Sequence, residues 1–252
     1  MCYSAIVFDR RVKNTTLFFG VSGLLRNSDL VMYDFLTESF WQQFTRKAIV
    51  GDFTGTELKV LYSQVISFED FWKNYPDGLI LSTDTGYKRK YGMNPYFDYD
   101  NPEKKPFMFN GKINKNIPLK EKVIGIQIDN ITKAYPYSIS KKEKVINDTV
   151  NGNHIVVFHK SGTYSILDQI IITQSKDAGS TSVFSSEVNG NILHFYYRGG
   201  KFFNEETGST WNILGRATSG KYLGTQLTKI NSGDYFAFAW FAFNKNSLLY
   251  GE

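Results

Sequence analysis

Apolar residues fall in short runs along this chain, separated by turns rich in Asn, Gly, Asp and Lys. Cys2 to Phe8, Leu17 to Phe19, Leu30 to Asp34, Ile124 to Asn130 and Ile155 to His159 read as strands, since β-branched and aromatic residues dominate them. Val12 to Leu17 and Val188 to Leu193 read as hairpins, the second through Asn189-Gly190, a strong short-range hairpin signal. Helical spacing is clear at one place. Ser67 precedes Phe68, Phe71, Trp72 and Tyr75, with Glu69 and Asp70 in the first turn and Pro76-Asp77-Gly78 as the stop. Asp234 to Phe243, apolar nearly all round, predicts a second and more deeply buried helix. The pattern is that of a mainly β protein, α+β with few short helices.

The runs also repeat. Thr37-x-Ser39-x-Trp41 followed by Gly51-x3-Gly55-Thr56-x-Leu58 returns as Thr207-x-Ser209-x-Trp211 followed by Gly220-x3-Gly224-Thr225-x-Leu227. The match extends outward, with Val7-Phe8 on Val183-Phe184, Val12, Leu17 and Phe19 on Val188, Leu193 and Phe195, and Leu79 on Leu248. The separation falls from 176 residues at Val12 to 170 at Trp41 and 169 at Gly55, so only short loop changes intervene. A period this long marks a duplicated module and not a solenoid array. Two tandem pseudo-symmetric β-rich modules follow, each with one short helix: 1–83, then an aromatic and Pro-rich connector 84–122, then 123–252. The connector is expected to wrap the modules through Tyr87, Tyr91, Tyr96, Phe97 and Tyr99. The second copy has an upstream part, about Val123 to Phe184, where the first has only Met1 to Ile6, and the expectation is a first module that lacks its beginning.

Composition changes this picture little. With 42% hydrophobic, 16% aromatic and 21% charged residues the chain is a folded globular protein. The net charge of +5 is spread over scattered lysines with no continuous basic stripe, so no nucleic-acid partner is expected. One cysteine excludes an internal disulfide framework. The longest apolar run, Tyr235 to Phe243, is too short to span a bilayer as a helix, and no export signal opens the chain.

Reactive constellations are sparse. The paired glycines of Gly51 to Leu58 and Gly220 to Leu227 lack the lysine and hydroxyl of a phosphate loop and read as turns. Thr, Ser and Trp at alternate positions form either a hydroxyl-and-indole platform or core packing. Asp98-x-Asp100 has no further acidic spacing for a calcium loop. Ser22, in Gly20-Val-Ser-Gly23, only partly fits a nucleophile elbow, and neither His154 nor His194 pairs with it from sequence. A hydrolase therefore stands behind the other readings, and whether the protein is an enzyme stays open.

Several stretches carry a family resemblance: Ala5 to Val12, Phe19 to Asp34, Thr37-x-Ser-x-Trp-Gln42, Asp84-Thr-Gly-Tyr87, Tyr91-Gly-x-Asn-Pro-Tyr96, Ala134-Tyr-Pro136, Val145-x-Asn-Asp148 and Glu206-Thr-Gly-Ser-x-Trp211. Together they resemble the bacterial and archaeal domain-of-unknown-function family 3179, over essentially the whole chain. The resemblance carries no activity with it. It implies a Cys-Pro-x-Cys segment before the Ala-x-Val-Phe-Asp strand, of which Cys2 is the second cysteine, with His159 in the matching place of the other module. Cys2 and His159 would then be soft ligands for copper or zinc, or part of a thiol redox site. The leading expectation is a ligand- or partner-binding module for a small molecule or protein. Arg10, Arg26, Asp34, Trp41 and Trp211 are its candidate contacts, and burial of the two indoles in separate cores would count against it. The resemblance also implies an extracytoplasmic location.

Overall fold

The computed structural model describes residues 2–112 and 114–252; Met1 of the expected leading strand and Ile113 of the connector lie outside the described residues. The first module opens with strand β1 (Val7–Asp9) and the hairpin β2 (Arg11–Val12) and β3 (Thr15–Thr16). An antiparallel four-stranded meander follows: β4 (Phe19–Arg26), β5 (Asp29–Asp34), β6 (Phe40–Gln42) and β7 (Ala48–Val50). β8 (Lys59–Leu61) returns to pair with β1, and α1 (Phe68–Asn74) begins at its Ser67 cap, whose hydroxyl accepts the Asp70 N–H.

The second module opens with β9 (Lys122–Ile128), β10 (Ile131–Pro136), α2 (Tyr137–Glu143), β11 (Val145–Val150) and β12 (Asn153–Lys160). Then comes the counterpart of the first: β13 (Ser180–Ser185), the hairpin β14 (Glu187–Val188) and β15 (Asn191–Ile192), and the meander β16 (Phe195–Arg198), β17 (Lys201–Asn204), β18 (Thr210–Trp211) and β19 (Ala217–Ser219). β20 (Ser232–Phe236), α3 (Ala237–Phe243) and β21 (Leu248–Leu249) close the chain. The protein is mainly β, with several small antiparallel sheets and three short α-helices among the described residues. α2 has no helical apolar stripe in Ser138-Ile-Ser-Lys-Lys-Glu143, which is why the sequence pattern missed it and the second module holds two helices where one was expected. Asp234 to Phe236 belong to β20 and not to the buried helix, which starts at Ala237.

The repeated motif is the same polar knot twice. The Trp41 indole N–H donates to Asp34 Oδ2 at 2.9 Å, and Trp211 to Asn204 Oδ1 at 3.2 Å. Thr37 Oγ1 donates to Asp34 and Thr207 Oγ1 to Asn204. Each threonine hydroxyl meets its serine, Ser39 or Ser209, at 2.7 or 2.8 Å. Each serine Oγ in turn accepts a main-chain N–H, from Phe53 or Tyr222, both at 3.2 Å. A buried polar group without a partner is costly, so every atom of the motif is committed to another. Each tryptophan also meets a phenylalanine edge-on at 5.6 Å, Phe19 or Phe195. The two indoles lie in separate cores, Trp41 with Val12, Leu17, Ala48 and Leu58, and Trp211 with Val156, Phe158, Phe184 and Leu193.

The connector differs from its expectation. Tyr87, Tyr91, Tyr96 and Phe97 stay exposed, and only Tyr99 reaches the core, against Phe236. Main-chain bonds hold it instead, from Asn94 N to Ile170 O, Asp98 N to Asp168 O and Tyr99 N to Leu167 O. Asp98 and Asp100 pair with Lys104 and Lys176. No helix among the described residues is long and apolar enough to cross a membrane.

Gly51 has a φ of +100°, and a Cβ there would lie 2.5 Å from Ser39 Oγ; Gly55, at +85°, faces open space. Gly55→Ala should therefore lose about 1–2 kcal/mol of stability from backbone strain alone. Gly51→Ala should lose about 2 kcal/mol more by displacing Ser39, and Gly220→Ala should behave the same against Ser209. Urea unfolding of the three variants checks the order, and equal losses would mean that the knot tolerates displacement.

Candidate functional site

β20 is an edge strand of the sheet β20-β9-β10-β21, and its Phe236 N–H donates outward to Cys2 O at 2.9 Å. Side chains alternate across it, so Gly125, Gln127, Gly233 and Tyr235 share one face while Ile124, Ser232 and Asp234 share the other. On the first face a Cβ at Gly125 would collide with the Trp240 indole, so glycine lets α3 lie directly on the sheet. Phe44, from the loop between β6 and β7, crosses from the first module into this layer. It stacks on Phe243 at 4.6 Å and tilts against Tyr235 at 4.7 Å and Trp240 at 6.1 Å.

The Phe44 loop is held by a buried carboxylate. Asp29 Oδ2 accepts the Phe44 N–H at 3.0 Å and the Gln42 side-chain amide, and Ser4 Oγ donates to Oδ1 at 3.4 Å. Burial pushes the Asp29 carboxyl above its usual range, against the pull of the Phe44 and Gln42 donors.

Beside Phe44 a cleft of about 710 Å³ opens between the modules. Arg26, Arg46, Lys47 and Ile49 line it from the first module, and Gly125, Gln127, Asp129, Tyr235, Trp240, Phe243 and Asn244 from the second. Glu57 pairs with Arg46 at 2.7 Å and with Lys47 at 3.7 Å. Arg26 has no ion-pair partner among the described residues. A smaller cavity of about 180 Å³ lies towards the other face of β20, lined by Val7, Gln64, Val65, Ile124, Thr181 and Asp234. Ala5, Ser63, Ser232 and Gly233 line both spaces. Ser63 and Ser232 are 169 residues apart, so they are counterparts in the repeat, and the cleft sits where the two copies meet.

Behind the smaller cavity lies a buried polar chain. Tyr137 donates to Asp234 Oδ1, and Lys122 Nζ sits 4.3 Å above the rings of both Tyr137 and Tyr3. The Tyr137 ring meets His159 edge-on at 5.5 Å, and His159 Nδ1 reaches Thr181 Oγ1 at 3.1 Å and Ser140 Oγ at 3.3 Å. Burial raises the Asp234 carboxyl; burial and then the Asp234 charge raise the Tyr137 hydroxyl. Burial, helped by Lys144, pushes His159 down to about 4. At neutral pH the imidazole is uncharged and the phenol stays a donor, so the chain holds hydrogen bonds and makes no phenolate.

Of the candidate contact and metal residues read from the sequence, only Arg26 lines the cleft. Trp41, Trp211 and Asp34 are buried, and their polar atoms are spent within the two knots, so no indole platform faces a ligand. Burial pushes the Asp34 carboxyl up, but bonds from Trp41, Thr37 and the Leu36 N–H outweigh it and hold it below the usual range. Arg10 lies on the surface over the Phe18 ring at 4.4 Å. Cys2 and His159 have different surroundings. Cys2 packs with Phe236 and Phe238, its thiol raised well above the usual range by burial and by Asp29, whereas a reactive thiol needs a lowered one. β1 corresponds to β13, which sets Cys2 level with Ala178, while His159 lies on the neighbouring β12. Among the described residues no group of three or more His, Cys, Asp or Glu could hold a metal ion. Ser22 Oγ is turned to Val31 O, while His154 meets Thr149 and His194 meets Glu206, so no nucleophile–base pair forms from these three. The cleft residues Phe44, Arg46, Lys47, Tyr235 and Trp240 carry no site motif in the sequence. The run Tyr235 to Phe243 was the one signal for part of them.

The depressed His159 pKa makes stability depend on pH. The unfolded imidazole takes up its proton near 6.5 and the folded one only near 4. The contribution is therefore complete above pH 6.5 and is lost as pH falls through 4, a change on the order of 3 kcal/mol. Urea unfolding between pH 7 and 4 should show this loss in the native chain and a flatter profile in His159→Gln; parallel profiles would show that His159 carries none of it.

No curated protein and no solved structure matches this chain. The family description "Protein of unknown function (DUF3179)" matches residues 1–247 of the 252. With both copies of the polar knot inside that match, the chain belongs to the DUF3179 family.

Proposed function

We propose that this protein is a binding module whose cleft between the two copies takes a small anionic molecule with a planar apolar part. The observation that carries the reading is the lining of the 710 Å³ space, to which Phe44, Tyr235, Trp240 and Phe243 contribute a contacting group of rings and Arg26, Arg46 and Lys47 contribute cations. Ligand sites are commonly concave spaces of about 300–1,000 Å³ with an apolar lining and a few placed polar groups. Glu57 neutralises part of the cationic wall, which leaves Arg26 as the group that gains most from a carboxylate or phosphate. The aromatic layer is held on one side by Asp29 and on the other by Gly125, so its shape exists before a ligand arrives. A location outside the cytoplasmic membrane is part of the proposal, supported by the family resemblance.

A thermal-shift screen with aromatic carboxylates and aryl phosphates tests the reading, followed by calorimetry on any hit. Arg26→Ala should weaken binding about tenfold, or about 1.4 kcal/mol, while Arg10→Ala, on the surface away from the cleft, should leave it unchanged. A panel with no hit, or hits insensitive to Arg26, would remove the proposal.

A further inference from the structure

The smaller cavity lies where the two copies meet, and its lining comes in counterpart pairs. The 169-residue separation that sets Ser63 on Ser232 also sets Val65 on Asp234, and the 176-residue separation of Val7 and Val183 sets Ala5 on Thr181. Both members of each of these three pairs line the space of about 180 Å³, apart from Val183 beside Val7. A symmetric cavity would repeat its chemistry on both sides. This one does not: the second copy brings a carboxylate and a hydroxyl where the first has Val65 and Ala5, and Val7 and Ile124 extend the apolar wall.

Asp234 is a costly residue at that place. It is 6% exposed, its Oδ1 accepts the Tyr137 hydroxyl, and its Oδ2 accepts no hydrogen bond among the described residues. Burying a carboxylate with an unused oxygen is unfavourable, and Val65 shows that an apolar side chain fills the counterpart position. No Lys or Arg among the described residues lines the cavity; Lys122, behind it, donates to the Tyr3 hydroxyl at 3.1 Å. The space therefore has one acidic end, one apolar side and no cation of its own.

We infer that the smaller cavity is a second binding site, which takes a primary alkylammonium group. The ammonium donates to Asp234 Oδ2, with the Ser63 and Ser232 hydroxyls beside it, and the alkyl stem lies against Val7, Val65 and Ile124. An ammonium carries three donors and no acceptor, and a hydrogen bond between ionised partners is about twice as strong as a neutral one. A cavity of about 150 Å³ holds a benzene-sized molecule, so the stem has room for about four to six carbons. Ala5, Ser63, Ser232 and Gly233 also line the larger cleft, so the ammonium belongs either to a free amine or to the ligand proposed for that cleft.

Butylamine at neutral pH is the probe, titrated into the full chain with amide shifts read by NMR. It should move Thr181, Ser232 and Asp234 saturably, with a Kd on the order of 1 mM. Butanol, of the same size without the charge, and tetramethylammonium, charged but without an N–H, should each bind at least about tenfold more weakly. Asp234→Asn, which keeps an oxygen for the Tyr137 hydroxyl, should weaken butylamine about tenfold. Ser63→Leu, which fills the cavity from the other wall, should do the same and stands in if Asp234→Asn does not fold. Phenylalanine separates the two sources: as part of the cleft's ligand the ammonium makes it bind more tightly than butylamine, an advantage lost in Arg26→Ala, whereas a site for a free amine gives it no advantage. The inference is overturned if butylamine gives no saturable shift, if butanol or tetramethylammonium matches it, or if a folded Asp234→Asn binds it unchanged. Butylamine has no anionic part, so its failure leaves the reading of the larger cleft standing.

Discussion

Each module depends on one buried hydrogen bond, from a tryptophan indole to the carboxylate or carboxamide at the end of the preceding long strand. Asp34 and Asn204 do this work with different charge and the same geometry. A hydrogen bond to a charged group is worth about 1.5–3 kcal/mol net, and a stranded buried partner costs more than the bond gives. Trp41 therefore cannot leave its place without taking from the buried Asp34 Oδ2 its indole donor, and Ser39 and Gly51 are fixed in turn by the same turn. The meander, its crossing hairpin and the glycine turns are all arranged around that contact, which explains why the motif survives in both copies while the loops around it have changed.

The modules are joined by reaching across. Phe44 leaves the first module to enter the aromatic layer of α3, while α1 leans on the second through Asn74 to Asn212 and Asp70 to Lys160. The cleft follows from this exchange, because the Phe44 loop touches α3 without filling the space beside it. Its lining is unlike either core. The cores are apolar with committed polar atoms, whereas the cleft wall includes the exposed Arg26 together with rings already held in place. The aromatic layer is stable because Gly125 admits the indole and the Asp29 carboxylate orders the loop, two supports that come from different modules.

The duplication, the hairpins, the mainly β character and α1 were legible in the sequence, since each rests on local periodicity or on turn residues whose backbone needs are local. The family was legible too, in the Phe19 to Asp34 run. The site was not. Trp41 and Trp211 stood out because they repeat, and they repeat because they build the core. Arg26 was noticed as a charge in a motif, but nothing nearby marked it apart from Arg10, which ends on the surface over Phe18. His159 and Cys2 were matched by resemblance, and strand pairing sets them in different surroundings.

The sequence by itself determined the local units and their two-fold recurrence, because hydrogen-bonded hairpins and a tryptophan knot depend on residues within a few positions of one another. Only the tertiary structure decided that Phe44 meets Trp240 across nearly two hundred residues, that Ser63 faces the same space as Ser232, and that Phe68 and Trp72 of α1 are exposed where α3 is mostly buried. Those outcomes depend on how the two copies pack against each other. A repeat fixes what each copy can form alone, and the surface left between them is set by the few residues in which they differ.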